Sequence, residues 1–174
     1  QRAGALAAAA DVAIVCVGVT SGEGNDRTTL ALPSEQDGLV AAVAAAQPAT
    51  VVTVGAPHAV LLPWASGVSA VLYTLMAGQA AGDALADILW GDVNPAGRLP
   101  ITIPNVDNEC KFTPAQYPGV GGVSTFSEKL EMGYRWYDAH GLAPAFPFGH
   151  GLSYSSFDYS NLSATCHSNG RAPA

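Results

Sequence analysis

Ser21-Gly22-Glu23-Gly24-Asn25-Asp26-Arg27 is the densest polar constellation in the chain. A carboxylate set between two glycines stands where the backbone can turn sharply and approach a ligand closely. Glu23 would project from such a turn with little side-chain shielding. Asp26 and Arg27 follow it closely enough to form a local ion pair that holds the loop. The plainer alternative is a solvated loop, since loop acids are mostly exposed. Residue types alone leave both readings open.

Other chemistry finds less support. Gly22-Glu23-Gly24 has neither the GK[ST] ending nor the glycine spacing of a phosphate loop, which weakens a nucleotide-binding reading. No GxSxG elbow is present, which argues against an esterase of the α/β-hydrolase kind. His58, His140, His150 and His167 form no i,i+4 pair, and Cys16, Cys110 and Cys166 form no CxxC, so no metal site is expected. Met132-Gly133-Tyr134-Arg135-Trp136-Tyr137 could be a sugar-stacking surface or ordinary interface packing.

The polar loop needs a scaffold. Val12 to Gly18 is a near-continuous apolar run ending in Gly, the pattern of a buried parallel strand. The loop from Thr20 to Leu32 leaves its carboxyl end. Ser34 is placed to cap a helix, with Asp37 three residues on. That helix runs to about Ala46 on an apolar stripe of Leu39, Val40 and Val43, with Pro48 beyond its end. Val51–Gly55 and Ala70–Tyr73 read as further strands. Gln79 to Leu89 reads as an amphipathic helix with Ala84, Leu85, Ile88 and Leu89 on one side, stopped by Gly91. Leu99–Ile103 reads as a short edge strand because of Pro100. Alternating strands and helices predict an α/β fold, a layered α/β sandwich with a mainly parallel sheet. In such sheets ligands sit at the carboxyl ends of the strands, where the Glu23 loop lies. Beyond Pro104 both periods fade into a long irregular C-terminal tail, expected to wrap another domain or build a site.

The composition fits this picture. The 174 residues are 49% hydrophobic and 12% charged, with a net charge of −7, 19 Gly and 12 Pro. That provides for a packed core and many turns. An acidic chain without a Lys/Arg cluster is a poor partner for nucleic acid or an anionic membrane surface. No apolar run reaches the ~18 residues of a membrane span. Cys16 is expected in the core as an inert residue, and Cys110–Cys166 is a possible disulfide. Arg2 to Ala10 reads like the end of a helix feeding the first strand. Phe157 to Leu162 alternates like a first β-strand without a partner. Both ends therefore read as parts of a longer protein.

Four blocks, in order along the chain, carry a family resemblance. The first is Asp11-Val12-Ala13-Ile14-Val15 with Ser21-Gly22-Glu23-Gly24, Asp26-Arg27, Leu30-Ala31-Leu32-Pro33 and Gln36. The second is Gly91-Asp92-Val93-Asn94-Pro95-Ala96-Gly97-Arg98-Leu99-Pro100. The third is Gly133-Tyr134-Arg135-Trp136-Tyr137-Asp138. The fourth is Phe146-Pro147-Phe148-Gly149-His150-Gly151-Leu152-Ser153-Tyr154. Together they resemble glycoside hydrolase family three, of the β-glucosidase type, from about Ala8 to Leu162. Two segments depart from the family pattern: Leu75-Met76-Ala77-Gly78-Gln79 and Gly55-Ala56-Pro57-His58. Both leave subfamily and substrate more open than fold.

The resemblance implies a partial α/β sandwich domain over residues 1–104, an irregular interface segment over 105–156, and the start of a fibronectin-III-like domain over 157–174. It also implies an N-terminal (β/α)8 barrel carrying an Asp nucleophile, and a β-glucoside or oligosaccharide as substrate. No cofactor and no metal are implied. Glu23 takes the place of the general acid/base, while Asp26 and Arg27 bind substrate or shape the loop. Retaining carboxyls stand roughly 5–5.5 Å apart across the scissile bond, so the chain alone is expected to be inactive. A β-xylosidase of the same family and a non-catalytic carbohydrate-binding or scaffold domain are the alternatives. The sequon Asn161-Leu162-Ser163, together with the extracellular origin of polymer-derived glucosides, points to a secreted protein.

Overall fold

The computed structural model describes residues 2–33 and 35–164. The expected cap Ser34, the disulfide partner Cys166 and His167 lie outside them. Helix α1 (Arg2–Ala7) leads into β1 (Ala13–Gly18). Helix α2 (Gln36–Ala46) follows, then β2 (Thr50–Gly55) and, after a 3-10 turn at Ala65–Gly67, β3 (Ala70–Tyr73). Helices α3 (Ala81–Trp90) and α4 (Tyr134–His140) complete the elements. The three strands form one parallel sheet in the order β1-β2-β3, with Ala13 opposite Thr50 and Gly18 opposite Gly55. The expected α/β fold with a parallel sheet is therefore present.

Side chains alternate across a strand, so the register puts Val15, Val17, Val52 and Val54 on one face. Helix α2 packs on that face, and its Val40 and Val43 join the four valines in one buried cluster. Burying each such side chain contributes roughly 1.5–3 kcal/mol. Leu39, expected in the same stripe, is exposed instead. Asp37 meets a different partner from the expected cap, accepting a hydrogen bond from the indole N–H of buried Trp64 (2.8 Å). Helix α1 comes close to α2 at Gly4, where a Cβ would stand 3.3 Å from the Ala42 carbonyl oxygen, and adds Ala7 to the core.

The opposite sheet face behaves differently. Ile14 is 43% exposed, and Cys16 is exposed rather than in the core. The two share a face by the period of two, and α1 and α2 cover only the other face. Helix α3 forms close to its expected bounds and ends at Gly91 in the left-handed region (φ 84°). No residue of it is buried, however, because no described layer packs against its Leu85, Ile88 and Leu89 stripe.

Two expectations about the later chain are corrected. Residues 99–103 are not a strand of the sheet. Leu99 and Ile103 pair antiparallel with residues 146–150, through Ile103 N–H to Phe146 O (2.9 Å) and Gly149 N–H to Leu99 O (2.7 Å). Pro100, Pro104 and Pro147 carry no N–H, so the pairing stays at isolated bridges. Residues 157–162 form no strand. Nothing in the described chain pairs with them, and Tyr159 and Leu162 are almost fully exposed.

The tail also holds one helix that periodicity did not reveal. Helix α4 is only seven residues long and lies between Gly133 (φ 55°) and Gly141 (φ 62°). It buries Tyr137, whose hydroxyl donates to Glu109 Oε2 (2.7 Å). Asn105 donates to the same carboxylate from its backbone N–H (3.1 Å) and from its side-chain amide (2.8 Å). Burial works to raise the Glu109 carboxyl, but these donors outweigh it and hold it below the ordinary carboxylate range. A lowered carboxyl stabilises the fold above its unfolded value, and that contribution fades as pH falls through the folded one. Tyr137→Phe should therefore cost about 1 kcal/mol near neutral pH. In urea denaturation the gap from the unmodified protein should narrow at pH below the ordinary carboxylate value.

Candidate active site

The carboxyl end of β1 sets the site's geometry. Val19 N–H donates to Gly55 O (3.0 Å), drawing the ends of β1 and β2 together. A Cβ on Gly18 would stand 2.6 Å from the Gly55 oxygen, so only Gly fits there. Forcing a side chain into such a contact costs about 1–3 kcal/mol. The chain then leaves the sheet into the polar loop.

The loop tip is a single tight turn. Asn25 N–H donates to Gly22 O (3.1 Å), closing a four-residue turn with Glu23 second and Gly24 third. Gly24 has φ 77°, the value that a type II turn requires at its third position. Glu23 thus stands at the corner with its side chain exposed. Among the described residues, no hydrogen bond or ion pair engages its carboxylate.

The expected Asp26–Arg27 ion pair does not form. Among the described residues the one acid–base side-chain contact of this kind is His140 Nδ1 with Glu131, at 4.0 Å. The Arg27 guanidinium turns inward and donates to the Ala31 carbonyl, and its Nη1 is buried without a partner among the described residues. Folding back on its own loop satisfies part of the fork without Asp26, which remains exposed. Asp26 and Glu23 are therefore both free to face outward.

Residues outside the motif hold the rest of the loop. Asp107 accepts from the Thr29 hydroxyl (2.5 Å) and from Leu30 N–H (2.7 Å). Leu30 O accepts from Leu61 N–H (2.9 Å). At the other end, Gln36 bonds both backbone groups of Gly18, Gly18 N–H to Oε1 (2.8 Å) and Nε2 to Gly18 O (3.0 Å). Beside the loop, the Tyr73 hydroxyl donates to His58 O (2.6 Å). Burial pushes the Tyr73 phenol up to about 12, while the Val60 backbone and Arg27 guanidinium pull it down. Sequence reasoning assigned no role to Asp107, Tyr73 or Gln36. Asp107 lies far along the chain from the loop, and only the third dimension joins them.

Two surface depressions lie elsewhere on the described chain. One depression of about 440 Å³ is lined by Leu62, Pro104, Asn105 and Phe146, and another of about 360 Å³ by Gln116, Glu128, Trp136 and His140. Neither includes a residue of the 20–32 loop. Among the described residues, no group of three His, Cys, Asp or Glu side chains could hold a metal ion. Burial pushes the half-buried Cys110 thiol up, which favours its protonated form. Trp136 is stacked on His140 (3.9 Å between centroids) and meets Phe112 edge-on, whereas Met132 and Tyr134 of the same segment are exposed.

An exposed acid on a glycine turn stands here at the carboxyl end of a parallel sheet, where domains of the α/β class place their ligands. Residues 1–154 match the Glycosyl hydrolase family 3 C-terminal domain, and the chain belongs to that family. It is 42% identical over 160 residues to thermostable beta-glucosidase B of Acetivibrio thermocellus, covering 90% of this chain and 21% of that protein. It is 42% identical over 167 residues to probable beta-glucosidase J of Aspergillus fumigatus, covering 93% and 19% respectively. Among solved structures it is similar to DesR, a beta-glucosidase from Streptomyces venezuelae in complex with D-glucose. There the TM-score is 0.92 and the identity 42%, over 97% of this chain and 22% of that one. The chain thus spans about a fifth of the length of these relatives.

The Asp107 clamp is open to direct test. Asp107→Ala in the intact protein should speed amide exchange at Leu30 about tenfold or more, the cost of losing hydrogen bonds to a charged acceptor. Unchanged exchange at Leu30 would show that Asp107 does not hold the loop.

Proposed function

We propose that this chain is the acid/base-bearing part of a retaining, exo-acting β-glucosidase that hydrolyses terminal β-D-glucosyl residues. The reading is carried by Glu23, presented outward from a glycine turn at the carboxyl end of β1 with no internal partner. The beta-glucosidase relatives support the substrate class.

In this reading an Asp on a (β/α)8 barrel of the same protein attacks the anomeric carbon. Glu23 protonates the departing glycosidic oxygen, then deprotonates the water that releases the sugar. A general acid works best when a dry, shaped surrounding favours its protonated form. Here that surrounding comes from the barrel and the sugar closing over the turn. Arg27 and Asp107 shape the loop, and Asp26 is left facing the neighbour or the substrate.

The domain division follows the same reading. Residues 1–104 are the partial sandwich, 105–156 the interface segment, and 157–174 the start of a fibronectin-III-like domain. The exposed apolar side chains of Tyr117, Val120, Val123, Phe126, Leu130 and Met132 support a tail covered by a neighbouring domain. Secretion and a role in polysaccharide breakdown belong to the proposal. The exposed sequon at Asn161 is accessible to glycosylation, and no described helix is long and apolar enough to cross a membrane.

The test uses the full-length protein and an aryl β-glucoside. Glu23→Ala should lower kcat by about 10²–10⁴, the usual worth of general acid–base catalysis. Azide should restore turnover and leave a β-glucosyl azide, because a small anion needs no general base. Normal turnover, or a loss that azide does not relieve, would overturn the assignment.

A further inference from the structure

We propose that Gln36 is a positioning residue for the catalytic loop, its carboxamide standing in for one rung of a neighbouring strand at the open edge of β1. The assignment rests on the reading of Glu23 as acid/base.

β1 is an edge strand of the described sheet. Ala13 N–H bonds Ala49 O and Val19 N–H bonds Gly55 O, at either end of β1. Backbone groups alternate in direction along a strand, so the odd-numbered amides of β1 face β2 and the even-numbered ones face outward. Gly18 is the last outward-facing residue of β1, and its N–H and C=O would otherwise go unpaired among the described residues. Gln36 bonds both at once, as the peptide group of a partner strand would (2.8 and 3.0 Å). Only a carboxamide of this length offers an acceptor and a donor in that arrangement.

The position of Gln36 gives the contact its consequence. It is the first residue of α2, and its neighbour Asp37 is fixed by the Trp64 indole. The loop between β1 and α2 is thus tied at its start by the side chain of the residue that ends it. Arg27 and Asp107 anchor the later half of the loop at Ala31, Thr29 and Leu30. The Glu23 turn hangs between these two sets of anchors, and its own hydrogen bond is internal to it. Releasing the Gly18 rung frees the near anchor and lets the carboxyl wander from the leaving oxygen. The same carboxamide occupies the β1 edge at Gly18, which confines any strand added there to residues before it.

The experiment compares full-length Gln36→Ala, Gln36→Glu and Glu23→Ala on aryl β-glucosides running from phenyl to dinitrophenyl. Poor leaving groups need the proton, and activated ones leave without it. Gln36→Ala should lower kcat/KM about 10- to 100-fold for the phenyl glucoside, the scale of a misplaced catalytic group, with little change for the dinitrophenyl glucoside. Gln36→Glu keeps the length and the acceptor but turns a second acceptor on the Gly18 carbonyl, so it should show the same pattern. It carries the comparison if Gln36→Ala does not fold. Equal losses on both substrates mean a merely structural role and overturn the proposal, as does no loss at all. Glu23→Ala separates the two ideas. If it steepens the leaving-group dependence while the Gln36 variants do not, only the Gln36 assignment falls. If it does not steepen that dependence, the acid/base reading falls and takes the Gln36 role with it.

Discussion

The structure depends on how β1 ends. Gly18 and Gly55 come together so closely that a single methyl group would collide with the Gly55 carbonyl. That contact brings the carboxyl ends of β1 and β2 level and decides the residue at which the chain departs. The departure in turn decides where the Glu23 turn stands. Hydrophobic packing of four valines under Val40 and Val43 holds the sheet together, but it is non-directional and would tolerate a different exit. The backbone contact and the two Gln36 hydrogen bonds do not.

The same economy governs the two sheet faces. One is closed by α2 and α1, while the other leaves Ile14 and Cys16 exposed. Helix α3 carries a half-buried stripe that no described element covers. The tail adds Phe126, Leu130 and Phe148 to the exposed apolar surface. Its fixed points are polar: the Glu109 carboxylate gathers Asn105 and Tyr137, and Asn94 accepts from Ser153 and from the backbone of Tyr154. Polar clips of this kind set the path of a chain with little core of its own.

The parallel sheet was legible because its first two strands are apolar runs ending in glycine, separated by a helix with a cap signal and a proline stop. Helix α3 was legible through Gly91. What sequence could not show were features that rest on long-range partners. Cys16 looked like core because the run around it is apolar on both faces, yet only one face is covered. Leu99–Ile103 looked like a sheet edge because its proline suits one, and its actual partner lies some fifty residues away at Phe146 and Gly149. Helix α4 is shorter than two periods of its own pattern. At the site, Glu23 could be chosen from the glycines beside it and from the family resemblance. The inward turn of Arg27 and the Asp107 clamp depend on groups that no spacing rule connects.

The chain thus builds a precise exit from a parallel sheet, and the Glu23 turn stands outward from it. The most direct test of that claim is the pH dependence of kcat/KM for the full-length protein on an unactivated aryl β-glucoside. The free enzyme's essential acid and base each give one limb of the profile. If Glu23 delivers the proton, the alkaline limb disappears in Glu23→Ala while the acid limb stays in place. A variant that keeps both limbs at their original positions would contradict the account.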